Sequence, residues 1–212
     1  MAPPCTPAPP RPLPRDEGPW GRTTRGIRIY LATPRLRGLL ALNLAVAAAG
    51  AMVIVNTVVL VRGVLGLADA QLGWTLAAYG LGSMTAALVL PPVLERVADR
   101  VVMLLGAAVL AAGMAGGPLA AASWTTLLSL WIVLGLGNGL VLTPTGRLLR
   151  RSAEAGDRPA LFAAQFALSH ACWLATYPLA GWLGATAGPR PAFVVLAVLA
   201  ALGAVLAGHL WP

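Results

Sequence analysis

Apolar stretches broken by short charged loops run along this chain. Charge-free segments cover residues 38–61, 70–94, 101–146, 159–189 and 191–212. About 20 apolar residues, rising 1.5 Å each in a helix, cross a bilayer's hydrocarbon. Four segments fit one crossing each, and 101–146 fits two with AGGPLAAASW as the turn between them. The pattern predicts an all-α membrane protein with six transmembrane helices at about 38–61, 72–94, 101–120, 125–146, 160–184 and 191–210. These form one bundle over residues 35–212. Residues 1–34 hold nine of the eighteen prolines and read as a low-complexity, disordered tail. TPRLRG then opens the first helix, with Pro34 tolerated in a first turn.

Composition agrees with the pattern. Hydrophobic residues make up 58% and charged residues 10%, with a mean hydropathy of +0.78. A soluble domain carries roughly a quarter charged residues. The net charge of +8 alone would suit a nucleic-acid partner, but its placement argues against one. All fifteen basic residues are Arg, and they fall in alternate loops. With the N-terminus inside, only Arg62 and Arg190 face out, and the other thirteen face the cytoplasm. That asymmetry predicts a multi-pass protein of the cell membrane with both termini cytoplasmic. A single crossing in 101–146 would place the Arg147–Arg158 cluster outside, so the double count is preferred. The absence of Lys and the abundance of Ala, Gly and Pro suggest a GC-rich bacterial genome. No apolar signal segment opens the chain. Cys5 and Cys172 fall in a tail and a helix, so no disulfide between them is expected.

Small residues recur four apart at Gly113/Gly117, Gly135/Gly139 and Ala200/Ala204/Gly208. Helices in lipid associate by close backbone approach rather than by a hydrophobic drive. These pairs read either as packing seams or as the chance product of an Ala- and Gly-rich chain.

The fifth predicted helix, ALFAAQFALSHACWLATYPLAGWLG, is apolar but carries six hydrogen-bonding groups. At 100° per residue, Gln165, Ser169, Cys172 and Thr176 lie within about 60° of one another. His170, Trp173 and Tyr177 form an adjacent stripe. Leu161, Ala164, Leu168, Ala171, Ala175 and Leu179 lie opposite and are expected to meet lipid. Unpaired polar groups in hydrocarbon cost several kcal/mol each, so the polar side must face other helices or a water-filled pathway. His170 stands mid-span, where no carboxylate is found. It reads either as a neutral buried partner or as a proton- or ligand-handling group. Asn43, Gly50 and Thr57 recur every seven residues on the first helix. Asn138 sits among glycines on the fourth. Each Asn reads as interhelical glue or a substrate contact. Tyr79 and Ser83 are further candidates. One mid-span His and one Cys are too few for a metal site, and no cofactor is expected.

Three stretches resemble the C-terminal half of a major facilitator superfamily transporter. TTRGIRIYLATPRLRGLLALNLAVAAAG resembles the central cytoplasmic loop entering the seventh helix. GVLGLADAQLGWTLAAYGLGSMTAALVLPPVLERVADR is similar to the eighth helix and its inner loop. GLGNGLVLTPTGRLLRR, with DRPALFAAQFALSHACWLATYPLAGWLG, is similar to helices ten and eleven of bacterial efflux members. The resemblance covers residues 22–212. Of the family's inner-loop signature G-x-L-A-D-R-x-G-R-R, the chain keeps Ala98, Asp99 and Arg100. Glu95 and Val97 replace the Gly and Leu, and the trailing G-R-R is missing. Asp99 can cap the next helix, or form a conformation-dependent salt bridge. The resemblance implies a proton-coupled efflux permease for a small molecule or ion, with the site between two six-helix halves. This chain then supplies one half, pairing with a second copy or with a separately encoded N-terminal half.

Two readings compete. One is a truncated, non-transporting membrane fragment or assembly subunit. The other is an intramembrane serine protease using Ser83 and His170, although GLGSM is not the G-x-S-x-G such chemistry favours.

Overall fold

The computed structural model of the protein describes residues 19–211, which form seven α-helices with no strand among them. These are α1 (Pro19–Ala32), α2 (Pro34–Val58), α3 (Asp69–Val93), α4 (Asp99–Ala120), α5 (Trp124–Ser152), α6 (Arg158–Thr186) and α7 (Pro189–Leu210). The helix of the predicted first crossing runs on past Val58 as a π-helical turn, Val59–Val64. Five helices are long and apolar enough to span a membrane: α2 with its π-turn, α3, α4, α5 and α7. The exception is α6, the predicted fifth crossing. It has the length, 29 residues, but its His, Tyr, Trp and amide groups dilute its apolar character.

The principal departure from expectation is α1. Residues 19–32 were expected as tail, yet they form a helix against α6. The remainder of the predicted tail, residues 1–18 including Cys5, lies outside the described residues. Thr33 separates α1 from α2 in an extended conformation, φ −95° and ψ 113°. The following Pro34 disfavours the helical region there by steric clash. A second break is the α6–α7 turn, where Gly188 takes φ 85°, a value comfortable for glycine alone.

Around the bundle the main contacts run α3, α5, α4, α7, α2 and α6, with α1 outside on α6. Of the five spans, α2 is the most deeply buried. It packs on α7, α6 and α4. The seams rest on missing side chains. A methyl group at Gly135 would strike the Tyr79 carbonyl, and one at Gly82 the Ile132 carbonyl, so α3 and α5 touch backbone to backbone. Gly203 plays the same part between α7 and α2, against the Ala41 carbonyl. Thus Gly135/Gly139 and Gly113/Gly117 do meet other helices, whereas a side chain at Gly208 would meet nothing.

The two ends of the bundle differ chemically. One gathers Arg25, Arg35, Arg100, Arg147 and Arg151, each bound to another part of the chain. At the other, Arg62 pairs with Asp69 at 2.8 Å, and Arg190 lines a recess of about 300 Å³ with Val64 and Pro118.

Candidate functional site

The ring of contacts is open along α6, which meets α2 broadly but α5 only thinly. Its side chains therefore fall into distinct environments. Towards α2, Thr176 is buried and donates to the Ala47 carbonyl at 3.2 Å. Near its start, Gln165 is buried and accepts from the Tyr30 hydroxyl of α1 at 2.5 Å. Ser169 and Cys172, between them on the same stripe, are only half-buried. The expected polar stripe therefore exists, with closed ends and a partly open middle.

The adjacent stripe is a ladder of rings. His170 stacks on Phe166 with centroids 3.9 Å apart, and on Trp173 at 6.0 Å. Trp173 stacks on Tyr177 at 5.4 Å. The spacing of four, three and four residues brings these positions onto one helix face. Phe166 and His170 are exposed on the bundle, and Trp173 and Tyr177 are half-buried. The Phe166 carbonyl accepts from His170 Nδ1 at 2.8 Å and from the Ser169 hydroxyl at 3.0 Å. His170 is exposed on the surface of this bundle. It stands on the open face with its Nδ1 proton tied to its own helix. Phe166 was missed by the sequence reading, although its position four residues before His170 was a visible signal.

The predicted lipid side of α6 needs correction. Leu161 and Ala164 are buried, because α1 lies across the first turns of α6. Leu168 and Leu179 are half-buried, and only Ala171 and Ala175 are exposed. Gly26 of α1 sits where a side chain would strike the Ala160 carbonyl, and Arg25 pairs with Asp157 at 2.9 Å. Burial holds the Tyr30 phenol well above its ordinary pKa, so it stays a neutral donor.

The remaining candidates scatter. Asn43 and Thr57 are buried within the packing of α2. Thr57 accepts from the Trp131 indole at 3.0 Å and donates to the Val53 carbonyl, which makes it a fastener between α2 and α5. Another such fastener, Asn56, was overlooked: it is fully buried and donates to the Ala180 carbonyl at 3.1 Å. Asn138 of α5 is half-buried and donates to the Ser83 hydroxyl of α3 at 3.4 Å. Ser83 is engaged there and His170 on its own helix, and no hydrogen bond joins the two among the described residues. An apolar recess of about 590 Å³ between α3 and α5, lined by Trp74, Leu81, Met84, Leu128 and Ile132, contains none of the candidates.

At the Arg-rich end, Asp99 is buried as the first residue of α4. The capping role expected for it is not observed, because the N-cap is Ala98 and no side chain caps the helix. Asp99 instead pairs with Arg147 of α5, and its second oxygen lies 3.7 Å from Arg151. Arg147 also donates to the Leu94 carbonyl at 2.9 Å, spanning the α3–α4 loop. Arg100 turns the other way, donating to the Trp211 carbonyl at 2.9 Å and the Gly208 carbonyl at 3.3 Å at the end of α7. In this conformation Asp99 is therefore an ion-pair partner of α5.

No curated protein sequence matches the chain. A sequence profile of the Major Facilitator Superfamily matches residues 40–212, from the first turns of α2 through α7. That match takes in every span and the Asp99–Arg147 junction, and so the chain is a membrane protein belonging to the Major Facilitator Superfamily of transporters.

Proposed function

We propose that this chain is the C-terminal six-helix half of a proton-coupled efflux permease, and that α6 crosses the membrane as its fifth helix alongside the other five spans. The observation that carries this is the aromatic ladder of α6, left open where the bundle fails to close on α5. Rings and hydroxyls facing hydrocarbon would sacrifice hydrogen bonds, whereas facing a second half they line a path between halves. His170, Trp173 and Tyr177 are the contacts for a small-molecule or ion substrate, with Ser169 and Cys172 beside them. His170 carries the coupled proton on Nε2, since its Nδ1 is already engaged. The Arg-rich end faces the cytoplasm of a bacterial cell, and both chain ends lie there. The second half is another copy of this chain or a separately encoded six-helix partner, inserted in parallel.

The test is substrate-linked proton movement in proteoliposomes containing the chain alone and the chain with its candidate partner. Loss of flux in Trp173→Ala, with protein level and melting temperature kept, supports the reading. Absence of flux from every assembly, across a broad panel of small molecules, favours the non-transporting fragment.

A further inference from the structure

The polar stripe of α6 is closed at one end by a residue from outside the spans. Tyr30 is fully buried on α1, and its hydroxyl donates to Gln165, the first polar member of the stripe. One turn further on, Ser169 is half-buried, as is Cys172 beyond it. Access to the stripe thus narrows towards α1 and ends at the tyrosine ring.

What holds the tyrosine in place is independent of that hydrogen bond. Arg25 and Asp157 pair at 2.9 Å with both side chains partly exposed. Gly26 lets the α1 backbone approach the Ala160 carbonyl closer than any side chain would allow. Leu161 and Ala164 of α6 are buried beneath α1. Only Thr33, in an extended conformation, joins α1 to α2. Besides the burial of Tyr30 and of Leu161 and Ala164, α1 is fixed by one ion pair, one close approach and one hydrogen bond. A single extended residue joins it to α2, so it can lift away without unfolding α2.

We propose that α1 is a strap whose Tyr30 plugs the Arg-rich end of the α6 stripe, so that lifting α1 opens the stripe from that side. Tyr30 acts through Gln165, as a positioning residue rather than a substrate contact. The proposal rests on the reading that the stripe lines a path, and adds to it which residue shuts one end.

Cys172 reports on the plug. In a Cys5→Ser background it is the sole cysteine. The protein is reconstituted in vesicles and treated, from the α1 side, with an anionic, membrane-impermeant methanethiosulfonate. Tyr30→Ala is expected to speed labelling of Cys172 about tenfold, equivalent to about 1.4 kcal/mol in the opening equilibrium. Arg25→Glu, at an exposed position that leaves the core intact, is expected to speed it as well. Adding Asp157→Arg to Arg25→Glu restores the opposite-charge pair and the slow rate, an outcome that general destabilisation would not produce. Equal and ready labelling of wild type and both single variants overturns the plug while leaving the path reading intact. Cys172 inert in every form, from either side of the membrane, overturns both.

Discussion

Helices α5 and α6 are each 29 residues long, and each carries polar groups through its middle. They use those groups in opposite ways. On α5 the long polar side chains are committed to other helices: Trp124 to Thr75, Trp131 to Thr57, Asn138 to Ser83 and Arg147 to Asp99. Only small hydroxyls such as Ser129 and Thr145 bond within α5. Its glycines bring the α3 backbone into contact. On α6 only the ends are committed, through Gln165 and Thr176, while Ser169 and His170 bond to their own helix at the Phe166 carbonyl. A committed polar group fixes a helix in place. One satisfied within its own turn leaves its outer surface free for another molecule. Polarity in a membrane helix is therefore ambiguous until the partner atom is known.

The comparison can be broken first at the α5 seam. Gly135→Leu forces a side chain into the Tyr79 carbonyl, an overpacking that costs about 3 kcal/mol or more. Thermal unfolding in detergent should show a collapse of the folded fraction. Gly80→Ala, on α3 where nothing lies near, should stay within about 0.5 kcal/mol of wild type. Equal tolerance at both sites would dissolve the seam.

Next comes the junction at the Arg-rich end. Asp99→Asn leaves Arg147 its bond to Leu94 but removes the buried counter-charge, costing about 2 kcal/mol in the same measurement. An unchanged melting temperature would mean that the pair merely decorates the junction. Smaller still is Tyr30→Phe, which removes a buried hydrogen bond worth about 1 kcal/mol. This effect carries a pH signature. Burial raises the folded pKa of Tyr30 above its unfolded value of about 10. The wild-type advantage is therefore complete below that pH and shrinks as pH rises towards the folded value. Melting curves of both forms between neutral and strongly alkaline pH should converge.

The smallest stability effect falls on α6. Trp173→Ala on the half-open ladder should alter stability by about 0.5 kcal/mol or less. Transport should nevertheless fall roughly fivefold or more, since a stacking platform is worth about 1 kcal/mol or more to an aromatic or cationic ligand. A large drop in stability instead would move Trp173 into the class of α5's committed residues.

Most crossings were legible because lipid imposes a rule that survives translation into sequence: charge is kept out of the spans and arginine is kept to one side. The helix positions follow from that rule to within a few residues. The partners do not. Gly135 and Gly139 were visible as a spaced pair, but nothing local says that Tyr79 and Ser83 of α3 oppose them. Asp99 looked like a cap because a cap is a local bond, while its actual partner, Arg147, lies 48 residues on. The most consequential omission was α1. Proline density obscured a helix whose anchors, Gly26 and Tyr30, have no pattern of their own. With α1 unseen, Leu161 and Ala164 were assigned to lipid, although protein covers them. The α6 ladder was legible from periodicity, and its exposure was not, because that depends on how thinly α5 approaches.

Arg100 has a mechanical consequence. Its guanidinium joins the first turn of α4 to the last carbonyls of α7, while Trp211 packs on Gly38 at the start of α2. A pull at Trp211 is therefore borne in shear by three helices at once, rather than peeling α7 off turn by turn. In a single-molecule extraction, the first rupture from this end should be a high-force event releasing α7 whole. Replacing Arg100 with Gln should convert it into a series of weaker steps.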